Sequence, residues 1–146
     1  MRKGKPTIYS CTVEPMSANE SSVPIFMPFL NAFETTGIVI EEADIDYAKC
    51  SLKLQSKHKN ANDKIMGGAL YTLIDIAFAV AANTRSTPTV TLSANIEYLS
   101  NVLCEGRIEA IAKCVKSGGR ICVFTVDVYH DSGKHIATST MKGYRC

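Results

Sequence analysis

Several protein classes are excluded by what this sequence lacks. No CxxC occurs, and no Cys/His cluster has zinc-finger spacing, so neither a zinc finger nor a dithiol redox centre is expected. The basic start MRKGKPTIYS is followed by no apolar stretch of the kind a secretory leader needs. Without that context the six cysteines, at 11, 50, 104, 114, 122 and 146, do not read as a disulfide framework. They are expected to be reduced and packed as small apolar groups in a cytoplasmic protein. Neither sign of charge prevails. Sixteen basic and 14 acidic residues leave a net charge of +2, with none of the concentrated basic face of a nucleic-acid binder. Repeats and low-complexity tracts are also missing.

What is present is an apolar chain of moderate length. Hydrophobic residues make up 46 % and charged residues 21 %, too apolar for a disordered chain. A length of 146 residues fits one domain with one sizeable core. Residues 1–22 contain Pro6, Pro15 and the polar run Ser17–Ser22, and read as an extension or loop before a domain at 23–146. Pro24–Phe33 is apolar and suggests a short helix.

Two segments, Gly37–Glu42 and Tyr47–Leu54, read as a hairpin with Asp44 and Asp46 bracketing its turn; Ala48, Cys50, Leu52 and Leu54 share one face. A polar loop follows from Gln55 to Lys64, with His58 expected to be solvated between two lysines. From Ile65 to Ala82 the only ionisable groups are Asp75 and the phenol of Tyr71. A carboxylate at the centre of a membrane span costs about 2.5–3.5 kcal/mol, so this segment is expected to be a helix enclosed by its own protein. Leu70, Leu73, Ile74, Ala77, Phe78 and Ala81 recur at helical spacing, Gly67-Gly68 mark the start and Asn83 the stop. Four long strands complete the chain. In the first, Val90, Leu92, Ala94, Ile96 and Tyr98 alternate with Thr91, Ser93, Asn95 and Glu97. Glycine turns at Lys116–Gly119 and Asp131–Lys134 connect the other three, at Ile108–Cys114, Arg120–His130 and His135 to about Tyr144. A long antiparallel sheet must cover its apolar face, and the helix at about 67–83 is the only element large enough to do so. The expected class is α+β, one sheet wrapped around one central helix.

Chemistry concentrates at that helix. Asp75 is a carboxylate on an apolar element, held either by a structural hydrogen bond, for example to Tyr71, or for function. Gly67-Gly68 lie where unpaired N–H groups and the positive dipole end could polarise a carbonyl, or where close packing needs glycine. Asn60 could donate to the same carbonyl or simply serve a turn. Thr91 falls on the polar face of its strand, where it could hold a water. Lys113, Lys116 and Arg120 around Gly118-Gly119 form either a solvated edge or a contact for phosphates. No histidine pairs with Cys or Ser at triad spacing, and no metal cluster is visible.

The run Asn60–Asn83, with Met66-Gly67-Gly68 and Asp75 inside it, resembles the hotdog-fold thioesterases, specifically the phenylacetic-acid-degradation type of acyl-CoA thioesterase. Thr91–Leu99 and Gly133–Ala137 extend the resemblance, which covers about residues 27–146. It implies the hotdog fold: a single antiparallel sheet around the central helix. It also implies a homodimer or dimer of dimers with the site at the subunit interface, and no metal or bound cofactor. The implied activity is hydrolysis of an aromatic or medium- to long-chain aliphatic acyl-CoA. Asp75 would act as general base or nucleophile, the Gly67 N–H would polarise the thioester carbonyl, and Asn60 and Thr91 would assist. Met66, Gly68, Lys116, Gly119 and Arg120 would meet the substrate. One departure stands out: Met66 occupies the place of the family's usual histidine, and a thioether makes no useful hydrogen bond to substrate. The alternatives are an acyl-CoA-binding module without turnover and, lower in rank, a dehydratase, which would want a histidine near the helix.

Overall fold

The computed structural model describes residues 30–146. The expected extension at 1–22, the start of the expected 24–33 helix and Cys11 lie outside the described residues. A short helix α1 (Leu30–Thr36) leads into strands β1 (Ile38–Asp44) and β2 (Tyr47–Lys53). A 3-10 turn at Ser56–His58 precedes the long helix α2 (Gly67–Ala82). The remaining strands are β3 (Thr89–Tyr98), β4 (Arg107–Ser117), β5 (Ile121–His130) and β6 (His135–Arg145). They form one antiparallel sheet in the order β1-β2-β4-β5-β6-β3, with α2 across its inner face. This is the hotdog fold.

Local chemistry sets the element ends. Gly37 closes α1 at φ +74°, its N–H reaching the Phe33 carbonyl at 2.8 Å. In the β1–β2 turn Asp46 takes φ 60°, a left-handed conformation that aspartate tolerates, and Arg85 holds its carboxylate. At the far end of α2, the Asn83 amide donates to the carbonyls of Ala79 (2.8 Å) and Thr89 (3.0 Å). Its oxygen accepts the Thr89 N–H at 2.8 Å, so one side chain ends the helix and starts β3.

The core lies between α2 and the sheet. Leu73, Ile74, Ala77 and Phe78 from the helix meet Ala48, Cys50, Ala110, Ala112, Phe124 and Val126 from the strands, all with 1 % exposure or less. Phe78 packs edge-on against Phe124, ring centres 5.4 Å apart at 84°. Small residues on the sheet let the helix approach. At Gly143 a Cβ would stand only 2.6 Å from Thr89 Cγ2, 2.8 Å from Cys122 Sγ and 2.9 Å from Phe78 Cζ. Among the described residues all five cysteines are free thiols. Burial, aided by Glu41, pushes the Cys50 thiol up to about 12. No helix of the described residues is long and apolar enough to cross a membrane.

Strand β3 departs from the simple alternation expected. A β-bulge at Leu92 inserts one residue opposite β6, between the pairs Thr91↔Gly143 and Ser93↔Lys142. Side-chain parity flips there. Thr91 therefore faces α2, on the same side as Ala94, Ile96 and Tyr98, and not the opposite polar face. The strand also lies at the sheet edge, with β6 as its one neighbour among the described residues. Val90, Leu92 and Tyr98 are accordingly more than half exposed, where alternation led us to expect burial.

Candidate active site

Asp75 sits two turns into α2 on its open side, half-buried, on the helix face shared with Gly68 and Thr72. Its partner is Thr91, not Tyr71: the Thr91 hydroxyl donates to Asp75 Oδ1 at 3.1 Å. That contact exists because the Leu92 bulge turns Thr91 inward. Oδ2 receives no hydrogen bond from the described residues and remains open as an acceptor.

The N-terminus of α2 is left without a side-chain cap. Met66 is the N-cap residue and has no oxygen to offer. Its carbonyl takes the N–H groups of Ala69 and Leu70, while those of Gly67 and Gly68 have no partner among the described residues. Tyr98 packs directly over this end, its hydroxyl donating to the Gly67 carbonyl at 3.3 Å. A Cβ on Gly67 would lie 3.1 Å from that hydroxyl, so glycine suits the close approach.

Asn60 anchors the preceding loop. Its side-chain oxygen accepts the N–H groups of Asn62 (2.9 Å) and Lys64 (3.1 Å), which leaves the amide nitrogen free to donate elsewhere. Turn anchor and free donor are thus combined in one exposed side chain. Lys116, Gly119 and Arg120 are exposed at the β4–β5 turn, where the Arg145 N–H bonds to the Arg120 carbonyl. Arg145 pairs with Thr89, so this turn lies near the start of β3, away from Met66 and Gly68, which share the other end of α2 with Tyr98. Within one chain the structure does not gather these three residues with the helix N-terminus.

Two features escaped the sequence reading. Tyr98 looked like an ordinary strand aromatic. His58, expected in solvent between Lys57 and Lys59, is buried at 8 % exposure. Its Nδ1 accepts the Gln55 N–H at 3.0 Å and its carbonyl accepts the Met66 N–H at 2.8 Å, so the ring is folded in with the start of α2. Desolvation, then the Lys57 charge, lower its pKa from 6.5. The ring borders a cleft of about 380 Å³ walled by Ile38, Leu52, Met66, Gly68 and Thr72. Among the described residues no group of His, Cys, Asp and Glu is placed to hold a metal ion.

An orphan pair of amides at a helix start and an oriented carboxylate on the same helix are the parts of an acyl-transfer site. Comparison with known proteins agrees with that class. The family model for the thioesterase superfamily matches residues 63–137, just over half the chain. The chain belongs to the thioesterase superfamily, and with it to the thioester hydrolases. The acyl-coenzyme A thioesterase PaaI of Escherichia coli is 25 % identical over 109 residues, 75 % of this chain and 78 % of the relative. The solved structure of that protein superposes with a TM-score of 0.77 over 80 % of this chain and 84 % of its own. The TT0310 protein of Thermus thermophilus matches at 31 % identity and TM-score 0.75, covering 80 % and 97 % of the two chains. A hypothetical thioesterase of Streptococcus pneumoniae, solved with coenzyme A, shares the fold at TM-score 0.79 and 21 % identity, covering 83 % of this chain and 96 % of that one.

Proposed function

We propose that the protein hydrolyses acyl-CoA thioesters of aromatic or medium- to long-chain aliphatic acids, at sites shared between two copies of the chain. The observation that carries this reading is the Asp75 carboxylate, oriented by Thr91 on one oxygen and open on the other. The open oxygen takes a proton from water as the water attacks the thioester carbon, or attacks that carbon itself. The oxyanion that develops needs an N–H donor about 3 Å away. The Gly67 N–H is such a donor, and Asn60 can supply a second. Collapse of the tetrahedral intermediate then expels the CoA thiolate, which takes up the proton held by Asp75; on the second route collapse leaves an acyl-Asp75 anhydride that water then hydrolyses to the free acid. Base and oxyanion donor come from protein groups, so the chemistry calls for no metal or bound cofactor.

A second copy enters through simple geometry. Gly67 and Asp75 lie eight residues apart on one helix, about 12 Å along its axis, too far to serve one carbonyl. Asp75 of one protomer therefore works with the partner subunit's Gly67 and the partner subunit's Asn60. Strand β3, ten residues long, with one edge unpaired among the described residues and with Val90, Leu92 and Tyr98 exposed, suits pairing with another copy. A dimer, or a dimer of dimers, follows. The arrangement also offers Lys116 and Arg120 of one protomer to a CoA bound between copies. Free thiols at the described cysteines are in keeping with a cytoplasmic location.

Met66 favours one second reading, a module that binds acyl-CoA without hydrolysing it. Thiol release from a panel of acyl-CoAs separates the two. We expect turnover by the parent and at least a hundredfold less by Asp75→Asn with unchanged circular dichroism, since loss of a positioned base removes roughly 10²–10⁴-fold. Binding without turnover by the parent would select the non-catalytic module.

A further inference from the structure

The cleft beside Met66 has a hydrogen-bonding character of its own. Its apolar walls are Ile38, Leu52, Met66 and Ala69. Of its polar groups, the Thr36 hydroxyl donates to the Ala32 carbonyl at 2.5 Å and the Thr72 hydroxyl to the Gly68 carbonyl at 2.8 Å, so both protons are committed. His58 accepts the Gln55 N–H at Nδ1, which puts the proton of the neutral ring on Nε2. That Nε2–H has no acceptor among the described residues. Lys57, also on the wall, forms no ion pair within the described residues. Among the described residues no acidic side chain borders the cleft. Two donors, one of them cationic, thus belong to residues that line an apolar slot, with no acceptor for either among the described residues.

We propose that this cleft receives the acyl chain and that Lys57 and His58 Nε2–H together bind a carboxylate at its far end, so that the enzyme prefers monothioesters of dicarboxylic acids. Methylenes lie against Ile38, Leu52 and Met66, and the carboxylate meets the two donors at the wall. A methyl-ended chain of equal length fills the same slot but leaves the donors unmatched. The proposal rests on the thioesterase reading for its turnover assay and is separable from it by binding.

The test compares suberyl-CoA with octanoyl-CoA, two chains of equal carbon count, in the full-length protein. We expect kcat/KM to favour suberyl-CoA by roughly 10- to 100-fold, the range for one or two hydrogen bonds to a charged group. Lys57→Met, an exposed change that leaves the fold alone, and His58→Phe should each erase most of that preference. His58→Gln, which keeps an N–H donor, should restore part of it. Equal or better turnover of octanoyl-CoA, or a preference untouched by Lys57→Met, would overturn the assignment. Should neither CoA ester be turned over, the thioesterase reading fails, and calorimetry with the two intact esters, suberyl-CoA and octanoyl-CoA, decides the cleft by itself. Suberyl-CoA binding that falls to the octanoyl-CoA level in Lys57→Met upholds the carboxylate site, and equal affinity of the parent for the two esters refutes it.

Discussion

Replacing Gly143 with alanine should damage both the core and the site, although Gly143 touches no substrate. The added methyl would stand 2.6 Å from Thr89 Cγ2, 2.8 Å from Cys122 Sγ and 2.9 Å from Phe78 Cζ. None of these is the free end of a flexible exposed chain: Thr89 is 7 % exposed, Cys122 0 % and Phe78 1 %. Overpacking of this kind costs about 1–3 kcal/mol. Loss of glycine's freedom in the unfolded chain returns about 0.4–1 kcal/mol. A net destabilisation near 1–2 kcal/mol should lower Tm by roughly 2–8 °C for a chain of this size. Gly143 also pairs directly with Thr91 across the β3–β6 ladder, and Phe78 lies one turn beyond Asp75. A shift of Phe78 or of the β3 segment through Thr89 to relieve the clash is expected to disturb the 3.1 Å Thr91–Asp75 hydrogen bond. Thermal denaturation with a parallel turnover assay measures both effects. Gly119→Ala is the control, because a Cβ there meets nothing within 4 Å and its stability should hold or rise slightly. A Gly143→Ala protein as stable as the parent would refute the reasoning.

Three further outcomes are expected. Thr91→Val keeps shape but removes the proton donated to Asp75 Oδ1, and should lower kcat by about 5- to 30-fold with little change in KM; unchanged kcat in a folded variant would remove Thr91 from the site. Burial and the Lys57 charge hold the His58 pKa below 6.5, so the unfolded chain takes up a proton there before the folded one does. Its contribution to stability is therefore full above about pH 6.5 and is lost as pH falls through the folded value, and urea midpoints should drop less between pH 7.5 and 5.5 in His58→Gln than in the parent. Exposed Cys146 should react with a thiol reagent in the native state, whereas buried Cys50, its thiol raised to about 12, should react only on unfolding; mass-resolved labelling reads the order.

Much of the architecture was legible because short-range patterns carry it. The 3.6-residue spacing through Leu70, Leu73, Ile74 and Ala77 located α2, and the Asn83 stop corresponds to an observed cap made by that side chain. Alternation in Ala48, Cys50 and Leu52 marked a buried face before any neighbour was known. The same logic singled out Asp75, since a lone carboxylate on an apolar helix needs a reason wherever the helix lies.

Tertiary structure decided the rest. Alternation assigned Thr91 to the wrong face, because a bulge is a property of two paired strands and leaves no mark in one. His58 was expected in water on the evidence of its lysine neighbours. Burial came instead from the 3-10 turn and the Met66 N–H, which fold the ring against α2 while both lysines stay outside. The place of β3 at the sheet edge, which leaves an apolar strand exposed, follows from a strand order that local patterns do not contain. Periodicity and end signals act over a few residues, so the sequence alone determined the elements and the acid at their centre. Parity, burial and edges arise from contacts between segments far apart in the chain, and only the assembled sheet and helix could settle them.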